Sequence, residues 1–239
     1  MRPPLPHQDF IMEIAGYLSS IIIGVSLGLI GGGGSILTVP VLVYLFSVDA
    51  VAATAYSLFI VGLTSAVGSV SYFKKGRVNV KTAVIFGIPS IIAVFLTRAY
   101  IVPSIPSELF KVGNMVATKS HMLMLLFAAI MVAASYSMIR KAKAPGPEPT
   151  GPQHFNYPLI LIEGAVVGMI TGLVGAGGGF LIIPALVVLS KLPMKEAVGT
   201  SLVIIAAKSL IGFLGEGSET IIDWPFLGTV SIFAIIGIF

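Results

Sequence analysis

The sequence predicts an all-α polytopic membrane protein made of two homologous helical repeats, each with a glycine-broken or re-entrant helix, and about seven to eight spans. Three observations predict it. Hydrophobic residues make up 56% of the 239 positions and charged residues 10%, where a soluble domain carries about 25% charged residues. A chain of this size cannot hide so much apolar surface from water. The charges are also segregated: none falls in Val51–Phe73, Thr82–Thr97, Met122–Ile139 or Trp224–Phe239. Finally, shifting the chain by 144 positions lays 28–72 on 172–216 without a gap. Gly31 then meets Gly175, Gly33 and Gly34 meet Gly177 and Gly178, Pro40 meets Pro184, and Ser57 meets Ser201. Shared Leu and Val would follow from composition alone, but glycines, a proline and serines in register point to internal duplication.

In chain order, apolar spans are expected near 12–30, 52–73, 79–98 and 120–139, then near 158–175 and 196–215, with a last segment from Trp224. Helices are the expected form because about 20 residues cross the hydrocarbon and an unpaired backbone in lipid is costly. The alternating pattern of an outer-membrane barrel is absent. Met1–Phe10 holds three prolines and Asp9 and lacks the marks of a cleaved signal, so the first apolar segment is retained. The first repeat is 11–139, a polar, proline-rich linker covers 140–157, and 158–239 is the second repeat. The chain stops at Phe239, short of a full span from Trp224, so this repeat reads as incomplete and the sequence as truncated there.

Lys74, Lys75, Arg77 and Lys81 form one basic cluster and Arg140, Lys141 and Lys143 another, two spans later. Both therefore fall on one side, the cytoplasmic one by the excess of Lys and Arg, with 99–119 outside and the linker cytoplasmic. Whether the repeats run parallel or inverted depends on the number of spans in each half and stays open.

Several function classes are excluded. There is no cysteine, hence no disulfide framework and no thiolate nucleophile or ligand. His7, His121 and His154 show no metal-ligand spacing, so neither a metal nor a cofactor is expected. Basic residues sit at segment ends, which does not suit a nucleic-acid partner. No nucleophile–base pair lies inside the spans, so an enzyme is not expected. An intramembrane enzyme or a non-transporting membrane subunit is the alternative reading.

Two glycine clusters carry the functional reading: Gly31-Gly32-Gly33-Gly34-Ser35 and Gly175-Ala176-Gly177-Gly178-Gly179. Each glycine weakens a helix by about 1 kcal/mol relative to alanine, and residues 11–46 are too long for one span and too short for two. Broken backbone at membrane depth is tolerated where it is buried in protein or lines a wet cavity. Transporters use such breaks because the half-helix N-termini present free N–H groups and a positive dipole end to an anion. Half-helices beginning near Ser35 and Gly179 would supply two such ends, and the two breaks, 31–35 and 175–179, are expected to meet near the protein centre. Packing motifs space their glycines four apart and do not need a run. No Gly-Lys-Ser/Thr follows either cluster, so a phosphate-binding P-loop is excluded.

Lys208 is the one cation in the middle of a span. Seven residues earlier, on the same helical face, is Ser201, beside Thr200, while the repeat mates of Ser201 and Lys208 are Ser57 and Thr64. An ionisable group at membrane depth is costly and faces a cavity or a partner, which makes Lys208 the candidate anion ligand, with Ser57, Thr64, Thr200, Ser201 and the N–H groups of Ser35 and Gly179. Glu163, the lone charge early in its span, is a candidate for coupling to a proton or sodium ion, or a structural partner of Lys208. Arg98, near Pro103 at a span end, reads as an interfacial anchor.

The runs Gly28-Leu-Ile-Gly-Gly-Gly-Gly-Ser-Ile-Leu-Thr-Val-Pro40 and Glu163–Pro184 resemble the TauE/SafE sulfite-exporter family of membrane permeases. The resemblance covers nearly the whole chain after residue 11. It implies a multi-pass transporter of the bacterial inner membrane, usually with about eight spans, handling sulfite, organosulfonates or related sulfur-containing organic anions. The chain departs from the pattern in lacking the final span, in its long linker, and in Ala176, which replaces one glycine of the second motif. Residues and resemblance together predict a secondary permease or exporter of small anions, working by alternating access around a central site, with the lipid bilayer as its surroundings.

Overall fold

The computed structural model describes residues 6–32, 34–106, 108–112, 115–142, 157–175, 177–188, 192–216 and 222–239. The described residues form helices and one hairpin. In the first half come α1 (Pro6–Ile30), α2 (Ser35–Tyr44), α3 (Ala50–Lys74), α4 (Val80–Leu96), the one-turn α5 (Val102–Ser104), strands β1 (Glu108–Val112) and β2 (Met115–Thr118), and α6 (Lys119–Ala142). In the second come α7 (Tyr157–Val174), α8 (Gly179–Val188), α9 (Met194–Leu214) and α10 (Trp224–Ile238). Residues 143–156 of the expected linker lie outside the described residues, as do Gly33 and Ala176.

Local chemistry fixes the helix starts. The Asp49 carboxylate accepts from Val51 N at 2.8 Å, the Asn79 side chain from Thr82 N at 3.0 Å, and the Asp223 carboxylate from Phe226 N at 3.1 Å. Each satisfies a backbone donor that the first turn leaves without a helical acceptor. Four helices among the described residues are long and apolar enough to span a membrane, namely Met12–Ile30, Ala50–Lys74, Val80–Ser104 and Met194–Leu214. On α1, Leu18, Ile22, Val25 and Leu29 form an exposed apolar stripe, as do Val84, Ile88, Ile92 and Phe95 on α4. Such stripes would be unfavourable in water and suit hydrocarbon. Helices α3 and α9 are the buried centre.

The third span differs from its expected end near 98. A π turn at Thr97–Ile101 carries the helix on to Ser104, with Val102 N donating to Thr97 O. Pro103 follows at once and has no N–H to give, and widening by one residue lets the helix pass it. The expected outer loop 99–119 also holds a β-hairpin, Glu108–Val112 paired antiparallel with Met115–Thr118.

Contacts between the halves are exchanged. Gly24 of α1 lies against Ala234 of α10 with no room for a Cβ, and Gly168 of α7 lies the same way against Ser90 of α4. Gly68 of α3 meets Ile238 and Leu202, while Gly212 of α9 meets Val94 and Leu58. In every pair both members are offset by 144 positions. Gly62 packs on Leu210 and Gly68 on Leu202, so α3 and α9 run antiparallel, and positions 144 apart sit on helices of opposite direction.

The loops therefore sort onto two faces. One gathers Ser120, which bonds the Asp49 carboxylate at 3.0 Å, and Asp223, whose N–H donates to Tyr56 Oη at 2.8 Å. The opposite face gathers Thr200, whose hydroxyl accepts from Asn79 N at 2.9 Å, and Tyr72, which donates to Gly28 O at 3.2 Å. Lys74, Lys75, Arg77, Lys81 and Lys195 share this second face. Because the chain has no cysteine, single-cysteine labelling can check the arrangement. Lys75→Cys and Lys195→Cys should react with an impermeant maleimide from one side and Glu108→Cys from the other; labelling of the first two from opposite sides would contradict it.

Candidate functional site

The two breaks have one geometry. At the first, α1 ends with Gly31 N donating to Leu27 O at 2.8 Å, and at the second, α7 ends with Gly175 N donating to Thr171 O at 2.8 Å. Gly31 and Gly175 have φ of 74° and 73°, a left-handed conformation strained for any residue with a Cβ. Gly31, Gly32 and Gly34, and likewise Gly175, Gly177 and Gly178, lie outside the helices, and α2 and α8 begin at Ser35 and Gly179, the last residues of the expected breaks. The breaks touch at Gly32 and Gly179, backbone against backbone, with no space for a side chain on either. Each break also leans on the long helix of the other half, Gly31 on Val198 and Ser201, and Gly175 on Thr54. Gly177 lies among Ser35, Val61 and Ile205, where the faces of α3 and α9 that carry Ser57, Thr64, Ser201 and Lys208 come together.

Within this shared frame the polar groups differ between the breaks. At the first, Ser201 Oγ lies 2.9 Å from Gly31 O and 2.8 Å from Val198 O, so its single proton is engaged. Ser35 Oγ donates to Gly32 O at 2.7 Å, and Ser35 N donates to the same carbonyl at 3.3 Å. The expected donation from Ser35 N–H to an anion is thus not free in this conformation. Ser201 and Ser35 serve here to hold the break closed.

At the second break stands Lys208, wholly buried. Its Nζ donates to Thr171 Oγ1 at 3.1 Å, and Thr171 passes its own proton to Gly168 O at 3.1 Å. A Cβ placed on Gly178 would come within 2.7 Å of Nζ, so the ammonium lies directly on the broken backbone. Ser57, the counterpart of Ser201, is fully buried and its Oγ has no hydrogen-bond partner among the described residues. The second break therefore offers a cation bonded to one neutral hydroxyl, together with an unspent donor one turn beyond the Thr54 contact.

The remaining expected residues divide. Thr64 is buried and bonds its own Ile60 O at 2.7 Å. Thr200 faces Asn79, away from the breaks, because it is one position and about 100° round α9 from Ser201. Glu163 does not meet Lys208, whose partner is Thr171; eight residues, about 12 Å of helix rise, separate Glu163 from Thr171 on α7. Thr171 itself was missed by sequence reasoning. Its repeat mate is Leu27, and a polar residue facing an apolar counterpart, one turn before a break, was the available signal.

A matching family model, Sulfite exporter TauE/SafE, covers residues 17–239. The chain belongs to the TauE/SafE family. Similar proteins include a "Probable membrane transporter protein" of Xylella fastidiosa strain 9a5c, 30% identical over 236 residues, covering 96% of this chain and 81% of that protein. Another is "Probable membrane transporter protein YdhB" of Bacillus subtilis strain 168, 26% identical over 223 residues, 92% of this chain and 85% of that one. "Probable membrane transporter protein MJ0441" of Methanocaldococcus jannaschii is 28% identical over 203 residues, 81% and 70%. No solved structure matches the chain. These findings make it a membrane transporter rather than an enzyme.

In this TauE/SafE member Arg98 is not an interfacial anchor. It is 1% exposed in the π turn, and its Nη1 donates to Glu216 Oε2 at 3.0 Å. The pair ties the end of the third span to the end of α9, across the two halves. Removing one partner of a buried pair is costly, roughly 3–5 kcal/mol, because the other charge stays behind. Arg98→Met should lower the melting temperature in detergent far more than the double change Arg98→Met with Glu216→Leu. Equal losses would show that the pair is not coupled.

The contact of the two breaks can be checked in the same assay. Gly32→Ala should destabilise the protein by about 1–3 kcal/mol through overpacking, whereas Gly228→Ala, where a Cβ meets nothing within 4 Å, should leave stability unchanged or improved. A tolerated Gly32→Ala would contradict the backbone contact.

Proposed function

We propose that this TauE/SafE protein is a secondary permease of the bacterial inner membrane that moves small anions, such as sulfite, organosulfonates or related sulfur-containing organic anions, by alternating access around the second glycine break. The observation that carries the proposal is Lys208. A lone ammonium at mid-membrane is unfavourable by roughly 2.5–3.5 kcal/mol on insertion scales, and here, among the described residues, it bonds one neutral hydroxyl and lies beside Gly178. A bound anion would offset that cost, lying beside the ammonium at Gly178 and Thr171. An anion of few atoms suits such a site: a planar or tetrahedral oxyanion could take the ammonium, while Thr171, its proton spent on Gly168 O, holds the ammonium in place.

The exchanged glycine contacts support a reading of the two halves as duplicated, inverted repeats of seven to eight spans in total, related by an axis that passes near the contact of Gly32 and Gly179. In that reading the basic face with Lys74–Lys81 and Lys195 is cytoplasmic. The Arg98–Glu216 pair closes the outer face between the halves, and opening outward requires that it separate. Glu163, early in α7, stands clear of the anion site on the cytoplasmic side, where a coupling proton or sodium ion could engage it.

Proteoliposomes containing the purified protein and loaded with labelled sulfite or a labelled alkylsulfonate test the proposal. Wild type should exchange the anion across the membrane. Lys208→Met keeps the length and removes the charge, and should abolish exchange or reduce it by at least tenfold while insertion and melting temperature persist. Lys208→Arg should restore part of the activity, because a planar fork replaces a point charge poorly. Wild-type exchange by the methionine variant would remove Lys208 from the site.

A further inference from the structure

The first half carries an apolar groove that its counterpart in the second half does not leave open. A cavity of about 250 Å³ lies between α3, α4 and α9, bounded by Phe73, Val80, Val84, Ile88, Val203 and Ala207. Its floor is Gly87, where an added Cβ would meet only Ile204, at 3.9 Å. The counterpart positions, 144 along or back, are occupied differently. Val80 corresponds to Trp224 and Val203 to Phe59, and those two rings stack edge-to-face at 5.9 Å, with Phe213 against both. The chain fills one slot with its own aromatic side chains and leaves the other empty on the surface that faces hydrocarbon.

The mouths of the two slots differ in charge as well. The loop beside the filled slot, 216–223, holds Glu216, Glu219 and Asp223 and no cation. At the mouth of the open groove Lys74 follows the lining residue Phe73 and Lys81 follows the lining residue Val80, both exposed, while Lys75 and Arg77 of the same connection line a separate cavity with Gly28, Gly68 and Ile238.

We propose that this groove binds one anionic phospholipid, an acyl chain lying along Gly87 and Ala207 and the phosphate resting on the basic loop. The apolar walls alone give no preference, since a lipid tail gains nothing by leaving other tails. Selectivity has to come from the mouth, where each cation near an anionic headgroup contributes about fivefold in binding. The groove supplies position: a chain held in it bears on α4 from one half and α9 from the other, the pair of elements that must shift against each other when access alternates. The proposal does not depend on the anion site at Lys208, and its test reads lipid rather than transport.

The full chain, purified in a neutral detergent, is titrated with phosphatidylglycerol or phosphatidylcholine of identical acyl chains, and bound lipid is counted by native mass spectrometry. One phosphatidylglycerol should be retained at least tenfold more tightly than phosphatidylcholine. Changing Lys74 and Lys81 to Gln should remove that preference, whereas changing Lys75 and Arg77, which line the other cavity, should leave most of it. Gly87→Phe and, as a milder filling, Ala207→Leu should each reduce retention of the lipid, with the melting temperature recorded to show that the variants fold. Equal retention of the two lipids would overturn the proposal. So would undiminished binding in both filled variants, displacement by glycerol phosphate alone (a soluble-anion site), or a second copy of the chain seated in place of lipid.

Discussion

Two stretches of backbone meet at the centre of this protein with no side chain between them. The contact of Gly32 with Gly179 sets most of what surrounds it. Helices α1 and α7 must end before it, α2 and α8 must start after it, and α3 and α9 must run on either side to cover carbonyls and amides that hydrocarbon could not satisfy. Left-handed Gly31 and Gly175 make both turns possible, and the hydroxyl of Ser201 takes up a carbonyl that the first turn exposes. The fold is in this sense a sleeve built round two defects in its own helices.

The defects are alike in shape and unlike in chemistry, and that difference is where function enters. At the first break every described polar group nearby is spent on the break itself: Ser201 on Gly31 O and Ser35 on Gly32 O. At the second, Ser57 keeps an unspent donor and Lys208 brings its amino group against Gly178. The counterparts of Lys208 and Thr171 are Thr64 and Leu27, so no equivalent cation arises across the pseudo-axis. The two breaks share a frame, and the residues that differ between them give the second its cation.

Much of the frame was legible in the sequence. Charge-free segments located the helices because lipid admits few charges, and glycine runs located the breaks because no continuous helix keeps four glycines in a row. The gapless 144-residue register pairs positions whose glycine contacts match in the two halves, such as Gly24 with Ala234 and Gly168 with Ser90. Direction was not legible: whether α3 and α9 run parallel depends on which segments cross completely, and α2 and α8, at ten residues each, do not by length. The hairpin at 108–118 was hidden in a segment read only as a loop. At the site, Lys208 and Ser57 were readable from type and depth. The partner of Lys208 was not, because Thr171 looks like an ordinary threonine of an apolar helix until α7 and α9 are set side by side. Thr200 and Arg98 misled for a related reason: a hydroxyl one position from Ser201 points elsewhere, and a cation at a span end can turn inward when a carboxylate from the other half, Glu216, is there to meet it.

The central claim is that an anion sits at the second break and not the first. Its most direct measurement is an experimental structure with a bound anion whose atoms can be told from water, such as a bromoalkylsulfonate or selenite located by anomalous scattering. The account expects one peak inside the membrane-spanning region, within hydrogen-bonding reach of Lys208 Nζ and beside Gly178 and Thr171. A peak beside Ser201 and Gly31 instead, or saturable binding with no peak near Lys208, would contradict it.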